Sequence, residues 1–305
     1  MKKIARKDFL LQSSLLMTGA MAGMSFTNKG KKPLMSFSTL GCPAWNFTQI
    51  TSFAKQHGYQ GLEMRGILKE LYLPKCPEFA SASAIKTTMQ EMADKQLQFV
   101  DLGSSCNLHF AEGPERQKHL DEGKRFLDLA AAINCPNVRV YPNKFPKDQT
   151  KQQTMDLITK GLLELADYAK GMKVKVLMET HGEVVHYADL KNIMEAAHHP
   201  QVRLIWDIAN MWLDTGEAPE DAYKALKPYI HHTHIKDAAK KDGKLDFHFL
   251  GEGEVPIFQA MDLLVKDGYK GYFSFEWEKL WHPEIPEPEL ALADFTVKMK
   301  KHFGF

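Results

Sequence analysis

The chain lacks the cysteine pairs of a zinc ribbon or a thioredoxin-like redox site. Its four cysteines show no C-x-x-C spacing and lie at Cys42, Cys76, Cys106 and Cys135, which excludes both classes. If the protein is exported to an oxidising compartment, that environment would permit a disulfide between Cys42 and Cys106. Free buried thiols are the favoured interpretation. A P-loop is also missing, and Gly251-Glu252-Gly253 has neither the third glycine nor the preceding strand of a dinucleotide fingerprint. The sequence therefore offers no motif for nucleotide phosphates.

An excess of charge of one sign is absent as well. The 39 Lys and Arg residues nearly balance the 38 Asp and Glu residues. Residues 1–22 hold four of the basic residues and one of the acidic residues, so the chain without them has a net charge of −2. A weakly acidic protein has no general attraction for a phosphate backbone. Nucleic acid is therefore not expected as a partner.

The N-terminal segment has the features of an export signal. Residues 1–22 have a basic start, an apolar stretch and the A-x-A sequence Ala20-Met21-Ala22. Arg6-Lys7 stands where a twin-arginine signal has two arginines, so Sec export remains an alternative. An amphipathic helix of the mature fold is the other alternative, and the apolar part is short for a membrane span of roughly 20 residues. We expect a signal peptide over 1–22, a polar linker over 23–33, a periplasmic or otherwise exported protein, and no membrane span in its mature form.

Strand-like and helix-like segments alternate from residue 34 to the end. The hydrophobic content of 44% supports one sizeable core. The predicted strands are 35–39, 61–65, 97–103, 137–142, 174–179, 202–207, 230–236 and 271–276. The predicted helices are 47–57, 82–96, 114–134, 150–171, 187–198, 218–227, 255–267 and 287–302. Eight such pairs without a break in composition predict an α/β fold, a single (β/α)8 TIM barrel over 34–305.

Four ionisable residues lie at or near the carboxyl ends of the last four predicted strands: Glu179, Asp207, His234 and Glu276. Alternate residues of a strand face opposite sides, and one choice of face turns all four into the barrel. In (β/α)8 barrels the carboxyl ends of the strands form the active-site mouth. Three carboxylates and one imidazole there suit a divalent metal. Buried salt bridges or helix caps are the alternative interpretation.

Such a site suits proton abstraction next to a carbonyl. A divalent ion that holds the carbonyl oxygen stabilises the enolate as charge develops, and a neighbouring carboxylate serves as the base. Two carboxylates, Glu179 and Glu276, allow a proton to leave one face and return to the other. We therefore predict that these two glutamates are catalytic.

Several motifs around these residues resemble those of the xylose isomerase-like TIM barrels. They are Glu-Thr-His-Gly, Trp-Asp-Ile-Ala-Asn, His-Ile-Lys-Asp, Leu-Gly-Glu-Gly and Ser-Phe-Glu-Trp, and the resemblance covers about 34–303. That superfamily holds sugar epimerases and isomerases, inosose dehydratases, keto-glycoside lyases and the endonuclease IV group. The resemblance implies that Glu179, Asp207, His234 and Glu276 bind one ion, with Mn²⁺ preferred and Co²⁺, Mg²⁺ or Zn²⁺ as alternatives. It also implies that the two glutamates move protons.

Other positions depart from the epimerase pattern of that family. Asn210 stands where epimerases usually carry His, Lys240 where they carry Arg, and Val185 where they often carry Glu. These changes argue against a free-ketohexose or phosphosugar epimerase. Asp246-Phe247-His248 resembles the D-x-H element of the endonuclease IV group, but Asn210 replaces the second His of that group and argues against a three-metal cluster.

Five further residues are predicted to contact substrate: His109, His181, Asn210, Lys236 and His248. For the histidines, a loop hydrogen bond is the alternative, and Lys236 has the alternative of pairing with Asp237 or Glu278. Glu63 and Arg65 on the second predicted strand are interpreted as a barrel-floor or rim ion pair, with substrate contact as the alternative.

The predicted function is a divalent-metal-dependent isomerase or epimerase of a non-phosphorylated keto-sugar. A 3-keto-glycoside lyase or hydratase that uses the same enolate chemistry is the first alternative. A non-catalytic sugar-binding barrel is the second. The expected partner is a small sugar or keto-glycoside, and a homo-oligomer is possible.

Overall fold

The computed structural model describes residues 32–305. The predicted signal peptide and nearly all of the predicted linker lie outside these residues. Pro33–Phe305 forms one compact unit. Within the described part of the chain, no helix combines the length and the apolar character needed to cross a membrane.

Eight parallel strands close into a barrel among residues 32–305, in the order β1-β10-β7-β6-β5-β4-β3-β2. The strands are β1 Leu34–Ser38, β2 Gly61–Met64, β3 Gln98–Asn107, β4 Asn137–Tyr141, β5 Lys175–Glu179, β6 Val202–Asp207, β7 Ile230–Ile235 and β10 Tyr272–Phe275. Each corresponds to a predicted strand. The predicted (β/α)8 TIM barrel is therefore confirmed.

Helices surround the barrel. They are α1 Phe47–His57, α2 Ala82–Asp94, α3 Pro114–Ala132, α4 Lys151–Tyr168, α5 Tyr187–Ala197, α6 Ile208–Thr215, α7 Pro219–Leu226, α8 Ile257–Lys266 and α9 Pro288–Phe303. The start of α1 shows why boundaries could be predicted, because Asn46 and Gln49 form a reciprocal capping box. Gly58 ends α1 in the left-handed region with a φ of 79°.

One α-helix and one β-hairpin of the described residues were not predicted. The short helix α6 begins directly at the end of β6, without a loop that would mark its start. An antiparallel hairpin, β8 Asp237–Lys241 and β9 Lys244–His248, follows β7. Its turn residues Asp242 and Gly243 both have positive φ, 52° and 74°, and Asp-Gly is a strong hairpin signal.

The barrel strands are apolar outside and largely polar inside. On β10, Phe275 stacks on Phe295 of α9 with ring centroids 4.7 Å apart, whereas its neighbours Ser274 and Glu276 are buried polar residues. The main apolar core thus lies between sheet and helices, and the barrel interior is left for chemistry. The cysteines at 42, 76, 106 and 135 are all free and buried, so the favoured interpretation of free thiols agrees with the structure.

Candidate metal centre

The four predicted ligands converge at the carboxyl-terminal rim of the barrel. Ligand atoms of Glu179, Asp207, His234 and Glu276 all lie within 4.8 Å of one another. Nδ1 of His234 is 3.1 Å from Glu179 Oε1, 3.4 Å from Glu276 Oε1 and 3.8 Å from Asp207 Oδ2. All four side chains are buried. The register predicted from strand parity is therefore the register of the structure.

Asp207 has two roles at the end of β6. Its Oδ1 accepts a hydrogen bond from the backbone N–H of Asn210 at 2.9 Å and caps the N-terminus of α6. Its Oδ2 is the oxygen near His234. The helix-cap alternative is thus correct for one oxygen, while the other oxygen faces His234 and the rest of the cluster.

Glu63, at the end of β2, holds His234 in place from within the barrel. Its Oε2 lies 3.0 Å from His234 Nε2, 3.0 Å from His232 Nε2 and 3.0 Å from Ser274 Oγ. A hydrogen bond from Nε2–H to Glu63 turns Nδ1 of His234 toward the three carboxylates, where it contacts Glu179 Oε1 at 3.1 Å. Carboxylates that orient a metal-binding imidazole in this way are a general feature of metal sites.

The interpretation of Glu63 and Arg65 as an ion pair is wrong. Arg65 donates from Nη2 to Ser105 Oγ at 2.9 Å, and Glu63 contacts the two histidines instead. Sequence parity placed both residues on one strand face but could not show that strands β7 and β10 supply the partners of Glu63 from across the barrel.

Two buried cations lie among the ligand carboxylates. Lys236 Nζ is 2.8 Å from Asp207 Oδ2, 2.7 Å from Glu276 Oε2 and 2.7 Å from Glu278 Oε1. The sequence analysis considered Asp237 and Glu278 as partners of Lys236, and the structure shows the pair with Glu278. Arg139, which the sequence analysis missed, has Nη1 3.2 Å from Glu179 Oε2 and 3.6 Å from Glu276 Oε1. The sequence did contain a signal for Arg139, because it is a charged residue in the middle of the otherwise apolar strand Asn137–Tyr141.

Burial and these neighbouring charges shift the pKa values of Glu276 and Glu179 in opposite directions. Burial outweighs the attraction of His234 and Lys236 and raises the pKa of Glu276 to about 7. Burial also opposes ionisation of Glu179, but the charges of His234 and Arg139 are stronger and hold its pKa below the ordinary value. Paired carboxylates whose pKa values are pushed apart are typical of acid–base sites.

The donor set fits a divalent ion. Three carboxylate oxygens and one imidazole nitrogen make up the cluster, the mixture that Zn²⁺ and Mn²⁺-like ions accept. The ligand carboxylates also contact two buried cations, Arg139 and Lys236.

Two of the predicted substrate-binding residues other than Lys236 lie beside this centre. His181 follows Glu179 by two residues, and its Nδ1 is 2.9 Å from Asn143 Oδ1. Asn210 donates from Nδ2 to the backbone oxygen of Thr180 at 3.3 Å. Their roles toward substrate remain predictions.

The other two predicted substrate-binding residues lie apart from the ligand cluster. His109 is in the loop after β3 and lines a cavity formed by the loops after β3, β4 and β5. His248 ends the hairpin strand β9, and its Nε2 is 3.6 Å from Asp246 Oδ2. A separate cavity of about 720 Å³ at the opposite end of the barrel contains none of the predicted site residues.

The closed barrel and the acidic cluster at its rim define the class, a (β/α)8 enzyme with a candidate divalent-metal centre. The model of the family described as "Xylose isomerase-like TIM barrel" matches residues 52–297. The chain belongs to this family.

Relatives of known structure or activity are distant. The chain is 21% identical to 3-dehydroshikimate dehydratase of Bacillus anthracis over 203 residues, which is 65% of this chain and 68% of the relative. The structure of 3-keto-D-glucoside 4-epimerase from E. coli matches with a TM-score of 0.71 at 15% identity, over 88% of this chain and 100% of the other. A family protein from Mycobacterium smegmatis in complex with magnesium matches with a TM-score of 0.66 at 16% identity, over 90% and 97%. Likeness at these identities establishes the fold.

Proposed function

We propose that the protein is a divalent-metal-dependent isomerase or epimerase of a non-phosphorylated keto-sugar. The observation that carries the proposal is the convergence of Glu179, Asp207, His234 and Glu276 on one point inside the rim. Two glutamates on this cluster supply two proton-transferring groups. A binding protein that uses an ion only for structure has no need of them.

A bound divalent ion would supply electrostatic stabilisation of the enolate oxygen that forms when the carbon next to a carbonyl loses a proton. Glu276, whose carboxylate lies in the same cluster, is suited to take or give that proton. Glu179 remains ionised and can act from the other side. Lys236 and Arg139 hold the two glutamates in place through the ion pairs described above.

Elimination is the second candidate. When a leaving group stands beta to the acidified carbon, the same enolate expels it, so a 3-keto-glycoside lyase or hydratase would use the same residues. The similarity to a dehydratase and to a keto-glucoside epimerase supports both elimination and epimerisation as candidate reactions.

We also propose Mn²⁺ as the ion, and an exported location from the N-terminal sequence. Phosphorylated sugars are scarce outside the cytoplasm, which favours a free keto-sugar or keto-glycoside.

Incubation of the Mn²⁺-loaded protein in D₂O with a panel of keto-sugars and 3-keto-glucosides tests the proposal. Deuterium at one carbon indicates enolisation with return of the proton, and release of the aglycone indicates elimination. Neither product, with binding retained, would leave only a sugar-binding barrel and would overturn the proposal.

A further inference from the structure

Lys236 is a buried cation inside the candidate metal centre. It directly follows β7 and is 3% exposed. Its Nζ donates hydrogen bonds to Glu276 Oε2 and Glu278 Oε1, each at 2.7 Å, and lies 2.8 Å from Asp207 Oδ2. One ammonium group therefore contacts two candidate ligands of the ion and one carboxylate, Glu278, that lies outside the ligand cluster.

Asp207 has a single oxygen to offer to a cation. Its Oδ1 accepts the backbone N–H of Asn210 at the start of α6, so Oδ2 is the oxygen that is left for an ion. Oδ2 has no hydrogen-bond partner among the described residues, although Lys236 Nζ is 2.8 Å away. The ammonium thus contacts this oxygen as a charge and not as a directed donor. A divalent ion and Lys236 both need the same atom.

The two glutamates of the cluster divide their oxygens between cations. Glu276 accepts the lysine at Oε2 and has Oε1 3.4 Å from Nδ1 of His234. Glu179 has Oε2 3.2 Å from Arg139 and Oε1 3.1 Å from the same nitrogen of His234. Each glutamate can therefore contact a cationic side chain with one oxygen and an ion with the other. The conflict between side chain and ion is confined to Asp207.

Glu278 provides the lysine with a partner that the ion does not need. Its backbone oxygen accepts the N–H groups of Trp281 at 3.0 Å and His282 at 2.9 Å, which fixes it in the turn after β10. Its side chain is 17% exposed, against 0% for Asp207 and 4% for Glu276. Because two acidic partners remain, the lysine can leave Asp207 without becoming an unpaired buried charge, which would be costly.

We infer that Lys236 competes with the divalent ion for Oδ2 of Asp207, and that Glu276 and Glu278 retain the lysine when the ion binds. Two positive groups at one buried oxygen repel each other strongly, because little water screens them. The lysine therefore lowers the affinity of the centre for its ion. The inference rests on the metal-dependent part of the proposed function and gives Lys236 a role toward the ion.

Titration with Mn²⁺, followed by calorimetry, tests the competition. Lys236→Met removes the charge and keeps an unbranched side chain, so we expect Mn²⁺ to bind about 10-fold more tightly than to wild type, or better. Lys240→Met is the matched control, because Lys240 pairs with Asp214 at 3.1 Å and both side chains are exposed. Its affinity should stay within about twofold of wild type. Unchanged or weaker binding to folded Lys236→Met would overturn the inference.

Glu278→Gln approaches the same claim from the opposite side, and decides it if Lys236→Met does not fold. Without this partner the lysine stays nearer to Asp207, so Mn²⁺ binding should weaken, by about threefold or more for charges coupled at this distance. In the Lys236→Met background the same change should cost less, since Glu278 acts through the lysine. No loss in Glu278→Gln, or an equal loss in both backgrounds, would contradict the retention of the lysine by Glu278.

Failure of the proposed function has a different signature. If neither wild type nor Lys236→Met binds Mn²⁺ or another divalent ion, the metal-dependent function fails and the inference fails with it. If wild type binds Mn²⁺ and the variant binds it no more tightly, the inference alone fails and the metal centre stands. Binding that appears only in Lys236→Met would support the competition in its strongest form.

Discussion

The two halves of the barrel contribute different things to the centre. Strands β5, β6, β7 and β10 each place one candidate ligand at the rim. Strands β2, β3 and β4 instead place Glu63 behind His234, Asp101 in the interior and Arg139 between two glutamates. One half of the barrel therefore supplies the candidate metal ligands, and the other half supplies side chains that orient them and balance their charge.

The strongest test of this division is Glu276→Gln in the ligand half. The amide cannot accept the proton, so we expect turnover in the D₂O assay to fall by about 10²–10⁴-fold. The protein should still fold, as judged by circular dichroism. Glu164→Gln on α4, where Glu164 pairs with Lys124 at 2.8 Å, is the matched control and should be near wild type. Full activity in Glu276→Gln would remove this residue from catalysis.

The next largest effect is expected for Arg139→Gln in the supporting half. Loss of this buried cation leaves His234 as the positive group beside Glu179, and breaking a buried pair costs about 3–5 kcal/mol. Urea unfolding in EDTA measures the loss. Because a dication supplies the missing positive charge, Mn²⁺ should restore more stability to the variant than it adds to wild type.

Arg203→Gln is the control for this comparison. Arg203 lies on β6 and donates to backbone oxygens of His199 and Val202 rather than to a carboxylate. Its replacement should leave the Mn²⁺ effect unchanged. If both arginine variants respond alike, Arg139 has no special relation to the ligand carboxylates.

A smaller effect is expected for Glu63→Gln, which replaces the carboxylate behind His234. Side chains that orient a metal-binding histidine typically contribute 10–100-fold to metal affinity, and we expect a loss of that order in Mn²⁺ titrations. Asp101→Asn is the matched control, because Asp101 pairs in register with Glu63 but lies outside the ligand cluster. An unchanged affinity in Glu63→Gln would mean that His234 needs no such support.

The smallest expected effect is the contribution of Asp101 to the pH dependence of folding stability. Burial, and then the charge of Glu63, raise the pKa of Asp101 well above the ordinary value, and neither of its oxygens has a hydrogen-bond partner. The folded protein therefore binds this proton more tightly than the unfolded chain does. Stability is lost as the pH rises from about 4, the unfolded pKa, toward the raised folded pKa.

Asp101→Asn removes that titration. Its stability relative to wild type should grow with pH above about 4, by about 1 kcal/mol or a Tm rise of about 2–4 °C near neutrality. Thermal melts over a pH series measure this. A constant difference between variant and wild type at every pH would show that Asp101 is ionised in the fold.

The same comparison explains what the sequence could predict. The ligands could be found because each ends its own strand and obeys a local alternation of period two. The supporting contacts could not, since Glu63 and His234 are 171 residues apart, and no local pattern states which strands face each other across a barrel. Arg139 was overlooked for the same reason: its partners lie on β5 and after β10. The hairpin Asp237–His248 was missed although its Asp-Gly turn was visible.

The central claim is that one divalent ion is held jointly by the rims of β5, β6, β7 and β10. Anomalous scattering at the manganese edge, from crystals grown with Mn²⁺, tests it directly. We expect a single anomalous-difference peak about 2.0–2.3 Å from oxygens of Glu179, Asp207 and Glu276 and from Nδ1 of His234. A peak elsewhere in the barrel, or none at saturating Mn²⁺, would contradict it.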